Sequence, residues 1–294
     1  MEKKEILKLL QRNNKRFRLP KEIDFLIFDG TLSVMMSAKG IMENMQKNGS
    51  AFEGWAICLK AWIPGINNVI ICCKEKEKID AKNEHYQRFI YRLWKFTEIY
   101  DWATTKDFID EIEQFKKLNL VVNSPLKEAT KKAIHTEAIK EREYCDREKI
   151  HFDAMDHQLP VHLFKDKVSG QEGYSVTPSS FLDIWSIKGK TLYIYELKVE
   201  TNKMVGIISE LMYYVNVMSD IMQHKIILQE STEFRSFDKL HKMYQDGTCN
   251  MINGIFLADK LHTLIENNKE VIMGIINDGK FNIKTKYEHQ KVEL

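Results

Sequence analysis

Residues 181–198 read FLDIWSIKGKTLYIYELK, and no other stretch of this chain restricts its fold as tightly. Two alternating segments flank Lys188-Gly189-Lys190, which reads as a tight turn, so a β-hairpin is expected. Strand side chains repeat every second residue. In 191–199, Tyr193, Tyr195, Leu197 and Val199 therefore share one face, and Leu192, Ile194, Glu196 and Lys198 share the other. Glu196 and Lys198 carry an apolar face out to its polar end, which is how a site sits at the rim of a core. A structural ion pair is the competing reading. Asp183 lies on the other strand, on a face with Phe181 and Trp185, both expected to point inward. A lone buried carboxylate is costly unless it is paired or binds metal. Asp183 is therefore read as a metal ligand, against the alternative of an exposed Asp at a strand edge. Two carboxylates and a lysine on one face can hold a divalent cation and steer a water molecule.

The rest of the chain sets bounds. Its 294 residues accommodate one large or two modest domains, and 44% hydrophobic residues are enough for a core. With 5 prolines and 13 glycines it is neither low-complexity nor linker-rich. No run of about 18 apolar residues is present, and the charged start MEKKEILKLLQRNNKRFRLP lacks the apolar centre of a signal peptide. A cytoplasmic protein without membrane contact is expected. Cys58, Cys72, Cys73, Cys145 and Cys249 have neither CxxC spacing nor an even count, so reduced, mostly buried thiols are expected.

Periodicity predicts a helix over 1–17, strands over 23–28 and 69–73, and helices over 83–100 and 105–118. Residues 51–62 are apolar and fit either state. Ser124-Pro125 is a helix start, and that helix is expected to run over about 125–150. A short strand near 161–164, a polar loop over 165–180 and the hairpin follow. Beyond it come a helix over 205–222, a strand over 225–228, helices over 237–244 and 269–277, and strands over 252–257 and 281–287. This divides into an N-terminal α/β region, 1–120, and a second domain, 121–294.

Asp183, then Glu196-Leu197-Lys198 as an E-x-K element, then a helix bearing Glu210-Leu211-Met212-Tyr213-Tyr214, resemble the PD-(D/E)XK nuclease superfamily. Leu182 stands where the motif name has proline, and Glu210 where some members have Gln in a Q-L-x-x-Y element. The resemblance covers about residues 125–230. It implies a restriction-endonuclease-like α-β-β-β-α-β core, a mixed sheet flanked by helices, and metal-dependent phosphodiester hydrolysis, with DNA the expected substrate. Asp183 and Glu196 would hold Mg²⁺ or Mn²⁺ with the backbone carbonyl of Leu197. Lys198 would orient or help activate water and offset phosphate charge. Members often supply a Glu from the preceding helix. Glu141 and Glu148 both fall on its apolar stripe of Ile134, Ala138, Cys145 and Phe152, and both are candidates. Glu210 and Tyr214, one turn apart, would touch DNA or support Lys198, or form ordinary helix surface. The 1–120 region would recognise substrate or regulate. Restriction-type members often form homodimers, and the helices between 83 and 118 are candidates for that interface.

A net charge of +2 does not mark a nucleic-acid binder, but a nuclease needs only a local basic surface. Lys127, Lys131, Lys132, Lys140, Arg142, Arg147 and Lys149 offer one, or else form a solvated helix face. Ile27-Phe28-Asp29-Gly30-Thr31-Leu32 is similar to the D-x-D-G-T-L start of haloacid-dehalogenase phosphatases. Ile27 replaces the required nucleophilic Asp, so that chemistry is excluded, and Asp29-Gly30 reads as a turn. His151, His157 and His162 have no metal-pair spacing. An RNase, or a catalytically silent nucleic-acid-binding or assembly module, remains as an alternative function.

Overall fold

A computed structural model describes residues 1–124, 136–199, 204–230 and 236–292. In chain order the elements are α1 (Lys3–Gln11), β1 (Ile23–Phe28), β2 (Thr31–Met36), α2 (Ala38–Ile41), α3 (Phe52–Trp62), β3 (Asn68–Cys73), α4 (Glu84–Ile99), β4 (Ala103–Thr105), α5 (Ile109–Phe115) and β5 (Leu120–Val122). Then follow α6 (Thr136–Glu148), β6 (Ala154–Pro160), β7 (Leu163–Lys165), β8 (Phe181–Lys188), β9 (Thr191–Lys198), α7 (Gly206–Met222), β10 (Ile226–Leu228), α8 (Phe237–Gln245), β11 (Met251–Ala258), α9 (Thr263–Glu266), α10 (Lys269–Asn277) and β12 (Lys284–Gln290). The protein is mixed α/β. It forms two compact units: one of 1–117, 204–209 and 262–280, the other of 118–203, 210–261 and 281–294.

The first unit carries a sheet in the order β1-β2-β3-β4. Asp29 (φ 44°) and Gly30 (φ 69°) make the turn between antiparallel β1 and β2, the left-handed geometry that two-residue hairpin loops require. β2, β3 and β4 are parallel, joined by crossovers that contain α3 and α4. α3 is buried from Phe52 through Leu59, so it shows no polar face from which a helix could be read. Asn83 caps α4 by accepting from the N–H groups of His85 and Tyr86. Most of α4 is buried within this unit, including Arg92, which is paired with Glu53 and lies over the Phe52 ring.

The second unit holds a five-stranded sheet, β12-β11-β9-β8-β6, and a three-stranded sheet, β10-β5-β7. β6, β8 and β9 run antiparallel in succession, and β11 is parallel to both β9 and β12. The strand beside β9 is thus β11; β10, in the expected 225–228 segment, pairs with β5 instead. Likewise β6, not 161–164, begins the large sheet, while Leu163–Lys165 pairs with β5. β6 is AMDHQLP, and its polar centre hides the alternation of a strand.

Both faces of β9 are buried. Tyr195 and Leu197 pack with Tyr144 and Cys145 of α6, and with Ile184, Ile255 and Leu257. On the other face Gly254 of β11 lets α7 lie close. A Cβ there would stand 3.0 Å from Val215 and 2.8 Å from the Tyr287 ring. All five cysteines are free; Cys58 and Cys145 are buried and the other three partly so. Among the described residues no helix is long and apolar enough to cross a membrane. Ile134, Lys127, Lys131, Lys132 and the Pro125 helix start lie outside the described residues.

Candidate active site

The hairpin brings its charged residues to one end. β8 and β9 pair from Lys188–Thr191 to Ile184–Tyr195, with Gly189 (φ 59°) at the first position of the two-residue loop. Beyond Ile184–Tyr195 the backbone ladder stops. There Asp183 Oδ2 accepts from the Leu197 N–H at 2.9 Å, so a side chain takes over from a backbone carbonyl. Asp183 keeps some exposed surface as a residue, but its carboxyl group is enclosed. Phe181, expected inward, is 47% exposed at the strand end, whereas Trp185 is buried.

Glu196 has no exposed surface. Its Oε1 accepts from Lys198 Nζ, and Nζ also lies 3.2 Å from Glu210 Oε2 on α7. Glu196 Oε2 is buried and has no hydrogen-bond partner among the described residues. The neighbouring Glu210 carboxyl can bond to Glu196 only by sharing a proton. Glu141 of α6 is 2% exposed and accepts from Gln158 Nε2 at 2.6 Å. Of the two candidate helix carboxylates, Glu141 therefore joins this group. Glu148 pairs with Arg147 at 2.8 Å. Tyr214 is buried on α7, one turn beyond Glu210, with its ring near that of Tyr213.

Electrostatics follow from four carboxyl groups around one ammonium. Burial pushes the Asp183 carboxyl well above the usual range, and Glu141 and Glu210 push the same way against Lys198 and the Leu197 N–H. Glu196 is raised for the same reasons: burial first, then Asp183 and Glu210, with Lys198 opposing. Burial raises Glu141 to about 7, with Glu137 adding and Gln158 opposing. For Lys198 burial disfavours the charge, but Glu196, Glu210 and Asp183 together outweigh it and hold the side chain as an ammonium.

Two members escaped sequence reasoning. Glu137 precedes Glu141 by one turn, and its Oε1 is buried without a partner among the described residues; the four-residue spacing on one helix face was its only signal. Gln158 gave none. Of the proposed basic surface, Lys140 is partly exposed and Arg142, Arg147 and Lys149 are exposed, but Arg147 and Lys149 pair with Glu148 and Asp146. His162 bonds Ser175, and His157 stands beside Asp156.

The donors are all oxygens, the chemistry that suits Mg²⁺ or Mn²⁺ over softer metals. The crowding of carboxyl groups, and the meeting of Glu196 and Glu210 only through a shared proton, are both features that a cation would relieve. Among the described residues no three carboxylate, imidazole or thiol side chains already close around one point as a metal cage. Protein-family models, curated proteins and solved structures were all compared with this chain, and none matches it.

Proposed function

We propose that this protein is a metal-dependent nuclease of the PD-(D/E)XK type that hydrolyses phosphodiester bonds in DNA. One observation carries the reading: Asp183, Glu196, Lys198, Glu141 and Glu210 come from two strands and two helices and form one buried charged group. A fold does not need this arrangement. Four buried carboxyl groups around one lysine, with burial disfavouring their charged forms, oppose folding at neutral pH and are the arrangement expected where a ligand is bound. The topology lends support. α6, then β6, β8 and β9 in an antiparallel run, then α7 within the crossover to parallel β11, follow the order of a restriction-endonuclease-like core. β12 adds an edge strand.

Asp183, Glu196 and the backbone carbonyl of Leu197 would hold Mg²⁺ or Mn²⁺, with Glu141 as a further oxygen donor. Such a cation, when bound, supplies a low-pKa water and offsets charge on the phosphoryl group. Lys198 contributes three N–H donors on a fixed positive charge. As an ammonium it would donate to a phosphate oxygen and help position the attacking water, whose proton would leave to bulk solvent. Asp183 ties its Oδ2 to the Leu197 N–H, which fixes the carboxyl orientation and leaves Oδ1 for the cation.

The test is cleavage of supercoiled plasmid, single-stranded DNA and RNA with Mg²⁺, Mn²⁺ or EDTA, alongside Asp183→Asn and Glu196→Gln. Asp183→Asn keeps an acceptor for the Leu197 N–H, so it removes charge with little damage to the hairpin. The expected result is metal-dependent DNA cutting that each substitution lowers by roughly 10²-fold or more. Cutting that survives both substitutions, or DNA binding without cutting under any condition, would overturn the proposal. The second result would favour a silent binding module. Cutting confined to RNA would replace the substrate class.

A further inference from the structure

β6 is irregular at one residue. In its ladder with β8, His157 pairs with Ile184 and Leu159 with Leu182. Gln158, between them, stands opposite Asp183 and has no ladder partner. Its φ is 54°, a left-handed conformation that is unfavourable for a residue with a Cβ. No residue is inserted; the ladder is broken at Gln158 alone, and residues held in such sparsely populated backbone conformations cluster at functional sites. Here the side-chain amide donates to Glu141 Oε2 at 2.6 Å. Among the described residues, the bond to Glu141 is the hydrogen bond that the Gln158 side chain makes.

We infer that Gln158 is a positioning residue, whose left-handed backbone aims its amide at Glu141 and holds that carboxylate in register with Asp183 and Glu196 for a divalent cation. This rests on the metal-dependent reading above and adds a residue to it. Residues that orient metal ligands from behind typically contribute 10- to 100-fold in affinity, on the order of what is expected here.

The experiment is calorimetric titration of the intact chain with Mn²⁺ alone, together with melting temperatures in EDTA, for the unsubstituted protein, Asp183→Asn, Gln158→Gly and Gln158→Ala. Glycine adopts the left-handed backbone without strain; alanine keeps the strain; both lose the amide. Both Gln158 variants are expected to bind Mn²⁺ more weakly by the same factor, about 10-fold or more, although Gln158→Gly melts higher than Gln158→Ala. The inference is overturned if Gln158→Gly binds Mn²⁺ like the unsubstituted protein, or if affinity follows melting temperature across the pair, as a merely structural role requires. Failure of the underlying reading looks different: the unsubstituted protein then binds no Mn²⁺, or binds it as well as Asp183→Asn does.

Discussion

Replacing Glu141 by Gln should make the cation-free protein more stable and the cation-bound protein less so. The Glu141 carboxyl titrates near 7, against an ordinary value of 4.5. Between those values the folded chain keeps a proton that the unfolded chain has already lost. Stability therefore falls as pH rises through that window and levels off above about 7. At about 1.4 kcal/mol per pH unit, the accumulated cost above the window is roughly 3 kcal/mol. Gln is isosteric and neutral, and its own carbonyl still accepts from Gln158. Urea unfolding in EDTA, followed by circular dichroism, should find Glu141→Gln close to the unsubstituted protein at pH 4.5 and more stable by roughly 3 kcal/mol at pH 8. Mn²⁺ should then reverse the order, because only the unsubstituted protein gains full binding energy. A gap that does not widen with pH, or a variant less stable at pH 8, would refute the account of Glu141 as a carboxylate held at a cost.

Lys198→Ala should lower stability by about 3–5 kcal/mol, since it strips the ammonium from Glu196 and Glu210; an unchanged urea midpoint in EDTA would contradict this. Gly254→Ala, whose Cβ would meet the Tyr287 ring at 2.8 Å and Val215 at 3.0 Å, should cost about 1–3 kcal/mol by overpacking, and a thermal melt at the unsubstituted temperature would count against the close approach of α7. Arg92→Ala should cost about 3–5 kcal/mol by leaving Glu53 buried and uncompensated. Adding Glu53→Leu should recover much of that loss, and a double variant no better than the single would show that the pair is not what the site needs.

The hairpin was legible because its chemistry rides on a period of two. Leu192, Ile194 and Glu196 are all fully buried on the face assigned to them. β1 and α10 also stand where their patterns placed them, at Ile23–Phe28 and Lys269–Asn277. β2 carried a readable alternation, with Leu32, Val34 and Met36 buried and the residues between them less so, although only the turn before it was expected. What escaped was non-local. Nothing in Ile226–Leu228 says that it pairs with β5 rather than β9; both β10 and β11 are short apolar runs, and partner choice is settled by tertiary packing. Glu141 and Glu148 looked equivalent on the α6 stripe; what separates them is that the Glu148 end of α6 leads to the hairpin turn, where Asp153 accepts from the Gly189 N–H, whereas Glu141 lies by the open end that carries Asp183 and Glu196. Gln158 is the extreme case, because its role depends on a backbone angle that no side-chain pattern reveals.

The bond from the Leu197 N–H to Asp183 bears on how loss of activity would be written into such a chain. Asp183 closes the last rung between β8 and β9, and on the proposed nuclease reading it is a metal ligand as well. On that reading, a descendant that lost the activity would still be held to Asp or Asn at 183 by its hairpin. Among the described residues Glu141 closes no backbone rung; it accepts only from the Gln158 side chain, and burial sets it against folding at neutral pH. Relaxed selection would therefore erase Glu141 early and Asp183 late, so among relatives of this chain the acid on α6 is the better marker of a working site than the aspartate on the strand.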